Sequence, residues 1–384
     1  MDLNPILLYI DNSNQQDPRP VVLNDITFFK VIDEVPTTKF IYPIFLPRDS
    51  YNVPHVVIPD SILNSIYQGN CLILISHYHE AADWQHYEQA ILHIRNYYSN
   101  HYHNLSDDKF VFLTGHVIGS LTYKSVFCNS WEPASFSDNF IKERRTATHF
   151  IFKDERRPYK FICLNQRARD HRFALVSGLY PYRDQGLLSF YYRRATWQEY
   201  GKNMFIKNYP TYNTQWDKLD LEYKTPIKLP IQFDQEDWHK TCIIDNNVEK
   251  FYQSYLHIIS ETHVNHTFFT EKTYKPIKYF QPFVMINGQY SLRHFRELGY
   301  QTFDGYIDES YDLESNNERR IEMAIQASLD FIAQEDLHEV MKKMYPIFEH
   351  NHNVFIERCR NFQDRLHSDI SKILYAQDNN ANQN

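Results

Sequence analysis

Apolar runs and polar linkers alternate along the chain in the rhythm of strand, helix, strand. Residues 6–10 (Ile-Leu-Leu-Tyr-Ile) read as a first strand and residues 40–45 (Phe-Ile-Tyr-Pro-Ile-Phe) as a second. Pro43 points to a sheet edge for that second strand, because proline cannot donate to a hydrogen-bond ladder. Residues 71–76 (Cys-Leu-Ile-Leu-Ile-Ser) are an unbroken apolar run, the pattern of a parallel strand covered on both faces. Tyr87, Ala90, Ile91, Ile94, Tyr97 and Tyr98 recur at helical spacing over 86–98, and residues 110–114 return as a strand. Together these make a βαβ unit.

The second half repeats the pattern. Strands are predicted over 161–164 and 186–192, with a helix over 173–179 between them. A polar insertion follows at about 195–240, then an aromatic and β-branched strand over 251–260 and an apolar run at 282–286. Helices are predicted over 318–332 and 336–344. A last amphipathic helix over 353–374 carries Phe355, Ile356, Phe362, Leu366, Ile370 and Leu374 on one stripe. Residues 377–384 are polar and form a flexible tail. There is no internal repeat, and only the tail and residues 11–16 are low in complexity. The chain therefore reads as two α/β halves, and 384 residues suffice to give each its own core.

Composition narrows the function classes. Hydrophobic residues are 42% of the chain and mean hydropathy is −0.58, values of a soluble globular protein. No apolar stretch approaches the roughly 18 residues of a membrane span. The N-terminus lacks the basic and apolar regions of a signal peptide. The 29 tyrosines point to clefts and half-buried contacts, where a ring needs one wet end. Five scattered cysteines without a C-x-x-C fit free thiols in a reducing cytoplasm. A net charge of −8 does not mark a nucleic-acid binder. Yet Lys142, Arg144, Arg145, Lys153, Arg156, Arg157, Lys160, Arg167, Arg169 and Arg172 crowd one stretch between the halves. A polyanionic ligand in an interdomain cleft accounts for it, and so does a solvated linker with offsetting acids.

Two segments carry candidate chemistry. Residues 268–276 (Phe-Phe-Thr-Glu-Lys-Thr-Tyr-Lys-Pro) lie between a buried strand and a further apolar run, at a strand-to-helix corner. Pro276 belongs near a first helical turn, which makes Thr273 a candidate N-cap. Free N–H groups at a helix start, with Lys272 and Lys275, favour a diphosphate, and Glu271 is placed to accept from ribose hydroxyls. Thr270 completes this corner. The plainer alternative is a Glu271–Lys275 pair on a solvated helix face. The second segment, residues 160–172, is a strand followed by Arg167, Arg169 and Arg172, whose planar forks match phosphate; His171 is a further candidate. Both segments follow strands, where open α/β sheets bind ligands. Their convergence on one phosphate group, across roughly a hundred residues of sequence, is the central structural expectation. Glu261, at the end of the strand before the first corner, either lines the same pocket or caps a solvated strand end.

The run Thr-Glu-Lys-Thr-Tyr-Lys-Pro-Ile at 270–277 resembles a family of phage and bacterial proteins that look like fucosyltransferase-type GT-B glycosyltransferases. So do Gln281-Pro282-Phe283, Ser291-Leu292, Leu298-Gly299-Tyr300, Phe303-Asp304 and Asp308-Glu309-Ser310-Tyr311-Asp312. The block from Lys160 to Arg172 adds to the likeness, although Gln166 stands where the family's first arginine usually lies. The resemblance covers roughly residues 155–315. It implies two Rossmann-like domains facing across a cleft: an acceptor-side domain at 1–150, a nucleotide-sugar domain at 151–350, and a helix at 351–376 packing back on the N-terminal domain. The implied activity is an inverting transfer of a sugar from a nucleotide-diphosphate donor to a hydroxyl of a glycan, a protein or modified DNA. Thr270, Glu271, Lys272, Lys275, Arg167, Arg169 and Arg172 would bind the donor.

Transfer to a hydroxyl needs a general base. The segment 76–83, after the buried strand, supplies Glu80 first and Asp83 second, with His77 and His79 behind them. Helix-capping acids are the plain alternative for both carboxylates. His116, in a glycine-containing loop after residue 114, could shape the acceptor side. No Asp-x-Asp follows a strand, and the histidine pairs at i, i+2 suit no helical metal face, so no metal is expected. Cations would then neutralise the leaving diphosphate. Two alternatives stay open: a phage-type enzyme acting on hydroxymethylated DNA bases, and an inactive nucleotide- or glycan-binding module, which Gln166 favours.

Overall fold

The computed structural model describes residues 4–9, 26, 28–45, 58–77, 105–115, 124–136, 150–165, 169–190 and 248–376. The helix expected over 86–98, the insertion at 195–240 and the tail at 377–384 lie outside them. The chain divides into two units: Met1–Pro133 with Arg358–Asn384, and Ala134–Glu357.

The first unit holds six parallel strands: β1 (Ile6–Tyr9), β2 (Phe29–Ile32), β3 (Phe40–Phe45), β4 (Cys71–His77), β5 (Phe110–Thr114) and β6 (Lys124–Phe127). Their order in the sheet is β2-β1-β3-β4-β5-β6. Unbroken apolar strands suit this layer because both faces are covered. On one face Tyr42, Ile73 and Phe112 pack with Ile62 and Ile66 of helix α1 (Asp60–Tyr67). On the other face Ile41, Leu72, Leu74 and Val111 pack against Phe362, Leu366, Ile370 and Leu374.

Two expectations are corrected here. β3 is an interior strand despite Pro43. It pairs β4 along its whole length, with Pro43 opposite Leu74, but meets β1 only at Leu8↔Ile41, so the missing N–H falls beyond that described pairing. The last helix is also two helices, α9 (Tyr345–Arg360) and α10 (Phe362–Tyr375), broken at Asn361. One apolar stripe serves two cores: Phe355 stacks on Tyr274 in the second unit, whereas the residues at i, i+4 from Phe362 fill the first. The buried carboxylate of Glu132, on helix α2 (Trp131–Phe136), secures this end. It accepts from Arg358 at 2.6 and 3.1 Å and lies 3.7 Å from Arg365.

The second unit holds four parallel strands: β7 (Tyr159–Asn165), β8 (Gly186–Phe190), β9 (Ser254–Ser260) and β10 (Phe283–Ile286). Its helices are α3 (Asp170–Leu179), α4 (Val248–Tyr252), α5 (Glu271–Lys278), α6 (Ser291–Glu297), α7 (Asn317–Ile332) and α8 (Leu337–Lys343), with most of α9. α4 takes the first part of the segment expected as one strand over 251–260. The sheet order is β10-β9-β7-β8. From β7 the chain goes to β8 on one side and later enters β9 on the other. That reversal is a topological switch point, where open α/β sheets form their ligand crevice beyond the carboxyl ends. Asn165 ends β7 and Ser260 ends β9, so both motifs begin at this point. Two parallel-sheet α/β units are what the hydrophobic pattern predicts. Among the described residues no helix is long and apolar enough to cross a membrane.

Leu366 is almost wholly buried beneath the first sheet. Leu366→Ala is expected to lower the stability of this unit by about 2–5 kcal/mol through transfer and cavity costs. Asp369→Ala, on the exposed side of α10, is expected to stay within about 0.5 kcal/mol. Urea titration of both variants checks the difference.

Candidate functional site

Ser260 ends β9 and Glu261 turns the chain into the loop that leads to α5. The Glu261 carboxylate is 0% exposed. Its Oε1 accepts from the Thr270 amide at 3.0 Å and the Thr273 hydroxyl at 2.6 Å, and its Oε2 accepts from the Thr270 hydroxyl at 2.6 Å. Three donors make such burial tolerable for a carboxylate. Thr270, not Thr273, is the N-cap of α5: its hydroxyl accepts from the Lys272 amide at 3.3 Å. α5 thus begins three residues earlier than Pro276 suggested, and Thr273 faces inward to the same carboxylate. The amides of Thr270, Lys272 and Thr273 all have partners within the protein. The corner therefore offers fewer free N–H groups to an anion than the sequence suggested.

The second motif reaches the same residue through the main chain. His171 Nε2 lies 3.0 Å from the Glu261 carbonyl, and the Arg172 guanidinium donates to that carbonyl at 3.2 Å and to the Ser260 carbonyl at 3.5 Å. So the two motifs meet at Glu261, one on its side chain and one on its backbone. Arg172 is buried and holds the end of β9, a structural use of a residue expected to face phosphate. Arg169, half-buried, is the residue before α3. Arg167 and Gln166 lie outside the described residues, as do Glu80, Asp83, His79 and His116. Continuing the β7–β9 register, in which Ile162 pairs His257, sets Asn165 opposite Ser260. Asn165 Oδ1 and Ser260 Oγ are both buried without a hydrogen-bond partner among the described residues. Sequence reading passed over this pair, because a strand-end Asn or Ser carries no signal of its register neighbour.

Lys272 is a half-buried cation of the corner. Its ammonium donates to Thr270 Oγ1 and Glu271 Oε1, each at 3.0 Å, and a quarter of its side chain is accessible. An ammonium has three donors, so one N–H is left toward solvent. Burial alone would raise the Glu271 pKa, but the charges of Lys272 and Lys275 and the Lys272 hydrogen bond outweigh it and hold the group below the usual carboxylate value. Lys275 reaches back over the Phe251 ring, 5.9 Å from its centroid.

The loop between β9 and α5 is held from behind. Asn287 accepts from the Phe268 amide at 3.3 Å and donates to the Phe268 carbonyl at 3.2 Å. Arg320 of α7, buried, donates to the carbonyls of Val264 at 2.5 Å, Asn287 at 3.2 Å and Glu314 at 2.6 Å. A Cβ at Gly288 would collide with the main chain of His266 and Thr267. The acids of the later motif have structural uses. Asp312 caps α6, accepting from Ser291 Oγ and the amides of Leu292 and Arg293 at 2.9–3.2 Å, rather than the helix that follows it. Glu309 accepts from Thr302, the Phe303 amide and Arg296 at 2.7–2.8 Å. Asp308 accepts from the Ser310 amide at 2.9 Å. Among the described residues no cluster of three or more His, Cys, Asp or Glu side chains could hold a metal ion.

Comparison with protein-family models, curated proteins and solved structures returns no match to this chain.

His171 gives the site a pH signature. Burial, and then the neighbouring Arg172 charge, hold its pKa well below 6.5. The native state therefore refuses a proton that the unfolded chain accepts, and stability is lost as pH falls below about 6.5. His171→Gln keeps a donor for the Glu261 carbonyl and is expected to flatten this dependence. The difference in unfolding free energy between parent and variant should change by up to about 1.4 kcal/mol per pH unit, measured by denaturant titration between pH 7.5 and 5.

Proposed function

We propose that the chain is a GT-B-type glycosyltransferase that moves a sugar from a nucleotide-diphosphate donor to a hydroxyl acceptor, with inversion and without a metal. The observation that carries this reading is the meeting of the two motifs at Glu261, beside the switch point of the second unit. Chain reversal favours a ligand there, and the groups that converge suit a nucleoside diphosphate. Lys272 keeps an N–H for a phosphate oxygen, and Lys275 adds charge. Glu271, held ionised by both lysines, accepts from ribose hydroxyls. Asn165 Oδ1 and Ser260 Oγ add uncommitted polar groups beside the crevice.

Charge is the chemistry such a site supplies. As the glycosidic bond to the donor breaks, negative charge develops on the diphosphate, and fixed cations stabilise that charge most where water is sparse. Lys272 is already anchored by Thr270 and Glu271, so little reorganisation accompanies the step. Arg172 acts behind this layer by fixing the end of β9. The acceptor proton goes to a carboxylate of the first unit, Glu80 or else Asp83, both outside the described residues.

A glycan or protein acceptor fits better than modified DNA. In the described part of the basic stretch, Arg157 and Arg172 are buried and donate to main-chain carbonyls. Arg156 pairs with Asp336 at 3.0 Å. Commitment of Arg157 and Arg172 to the main chain weighs against the open strip that duplex binding requires.

Lys272→Ala is expected to weaken nucleoside-diphosphate binding by roughly 1.5–3 kcal/mol, the loss of one charge-assisted contact. Calorimetry on the folded variant checks it, and unchanged affinity removes Lys272 from the site. Glu80→Gln should lower turnover by roughly 10²–10⁴-fold with donor binding intact. Normal turnover there together with a loss in Asp83→Asn would move the base to Asp83, and full activity in both would place it outside this segment.

A further inference from the structure

We infer that Glu261 is a positioning residue for Lys272, acting through the hydroxyl of Thr270, and that it presets the ammonium for the diphosphate of a nucleotide donor. The choice of ligand rests on the function proposed above. The positioning itself follows from counting donors and acceptors. A threonine hydroxyl has one hydrogen and two lone pairs. The Lys272 amide and the Lys272 ammonium both donate to Thr270 Oγ1, at 3.3 and 3.0 Å, so both lone pairs accept. The hydrogen must then go to Glu261 Oε2, 2.6 Å away. Oε1 is also an acceptor, because the Thr270 amide can only donate, and it does so at 3.0 Å. Thr273 Oγ1 adds a third donor at 2.6 Å.

Both carboxylate oxygens therefore accept, and a chain of hydrogen bonds runs from the Lys272 ammonium through the Thr270 hydroxyl to Glu261. Among the described residues no arginine or lysine forms an ion pair with this carboxylate, so the hydroxyl is its link to positive charge. The chain has one direction only. A glutamine amide at position 261 offers one accepting oxygen and one donating nitrogen. If the nitrogen faces Thr270 Oγ1, the hydroxyl must accept from it and competes with the ammonium. If the nitrogen takes the other place, it meets the Thr270 amide donor to donor. In the first arrangement the ammonium loses Thr270 and keeps only Glu271; in the second the unfavourable contact displaces the Thr270 corner on which the ammonium rests. Lysine is a flexible stem with a compact charge, and an anchored ammonium meets a phosphate without first giving up its rotamer freedom. Main-chain support from His171 and Arg172 fixes the starting point of the chain, since both reach the Glu261 carbonyl.

The test reads the lysine first, without a ligand. Acetic anhydride labelling followed by peptide mass spectrometry gives the acetylation rate of Lys272, with Lys275 as internal reference. Glu261→Gln and Thr270→Val should each raise the Lys272 rate about threefold or more, the effect of one lost hydrogen bond. Thr270→Ser, which keeps the hydroxyl, should leave it near the parent rate. Parent-like rates in both Glu261→Gln and Thr270→Val overturn the positioning role; if Glu261→Gln fails to fold, Thr270→Val alone decides. The second arm measures uridine and guanosine diphosphate affinity in a cycle of Glu261→Gln and Lys272→Ala. Affinity should fall about tenfold on Glu261→Gln in the parent and hardly at all in the Lys272→Ala background, because neutral and charge-assisted bonds differ on that scale. Additive losses mean a merely structural effect and overturn the inference. Absence of binding by the parent chain overturns the nucleotide reading and the ligand named here, while the labelling arm still decides whether Glu261 anchors Lys272.

Discussion

One buried carboxylate organises the end of the second unit where its strands β7 and β9 finish. Glu261 lies at the end of a central strand with no exposed surface, where an unpartnered charge would be strongly unfavourable. Its two oxygens gather the amide and hydroxyl of Thr270 and the hydroxyl of Thr273, which sets where α5 begins. Its carbonyl gathers His171 and Arg172, which sets where α3 lies on the strand ends. Two segments far apart in sequence thus share one residue, and the cations around them take their positions from it.

The parallel sheet makes this arrangement possible. All four strands of the unit point their carboxyl ends the same way, and the order β10-β9-β7-β8 puts the chain reversal between the two strands that carry the motifs. Behind the strand ends, polar groups hold the connecting loop. Asn287 pairs both main-chain groups of Phe268, and Arg320 collects carbonyls from three separate segments. A buried guanidinium with carbonyl partners braces a loop well, because its planar fork reaches several acceptors at once.

Not every motif residue is available to a ligand. Asp312 and Glu309 sit in the motif that carries the family resemblance, yet they cap α6 and tie down the turn at Thr302 and Phe303. Arg172 sits among the arginines expected to meet phosphate, yet it binds two main-chain carbonyls. Burial explains each case. Near a strand end, unmet backbone groups cost as much as an unmet ligand would, and charged side chains are the strongest partners for them. Lys272 differs from these in that a quarter of its side chain is accessible.

Local periodicity located the buried strands and the last apolar stripe. The unbroken apolar runs at 71–76, 110–114 and 283–286 became buried parallel strands, because such a run can be satisfied only between two covered faces. The stripe from Phe362 to Leu374 likewise became a helix with its apolar face in a core. The Thr-Glu-Lys corner was legible as a helix start because capping is local chemistry, although its first residue was placed three positions late. Tertiary structure decided the rest. An interior place for Pro43 and the inward turn of Arg172 each depend on a neighbour distant in sequence. So does the role of Glu261, for a carboxylate at a strand end reads the same in sequence whether it meets water, a ribose or two threonines. Only the packing of β9 against α5 and α3 selects among these, by removing the water and leaving three donors in its place.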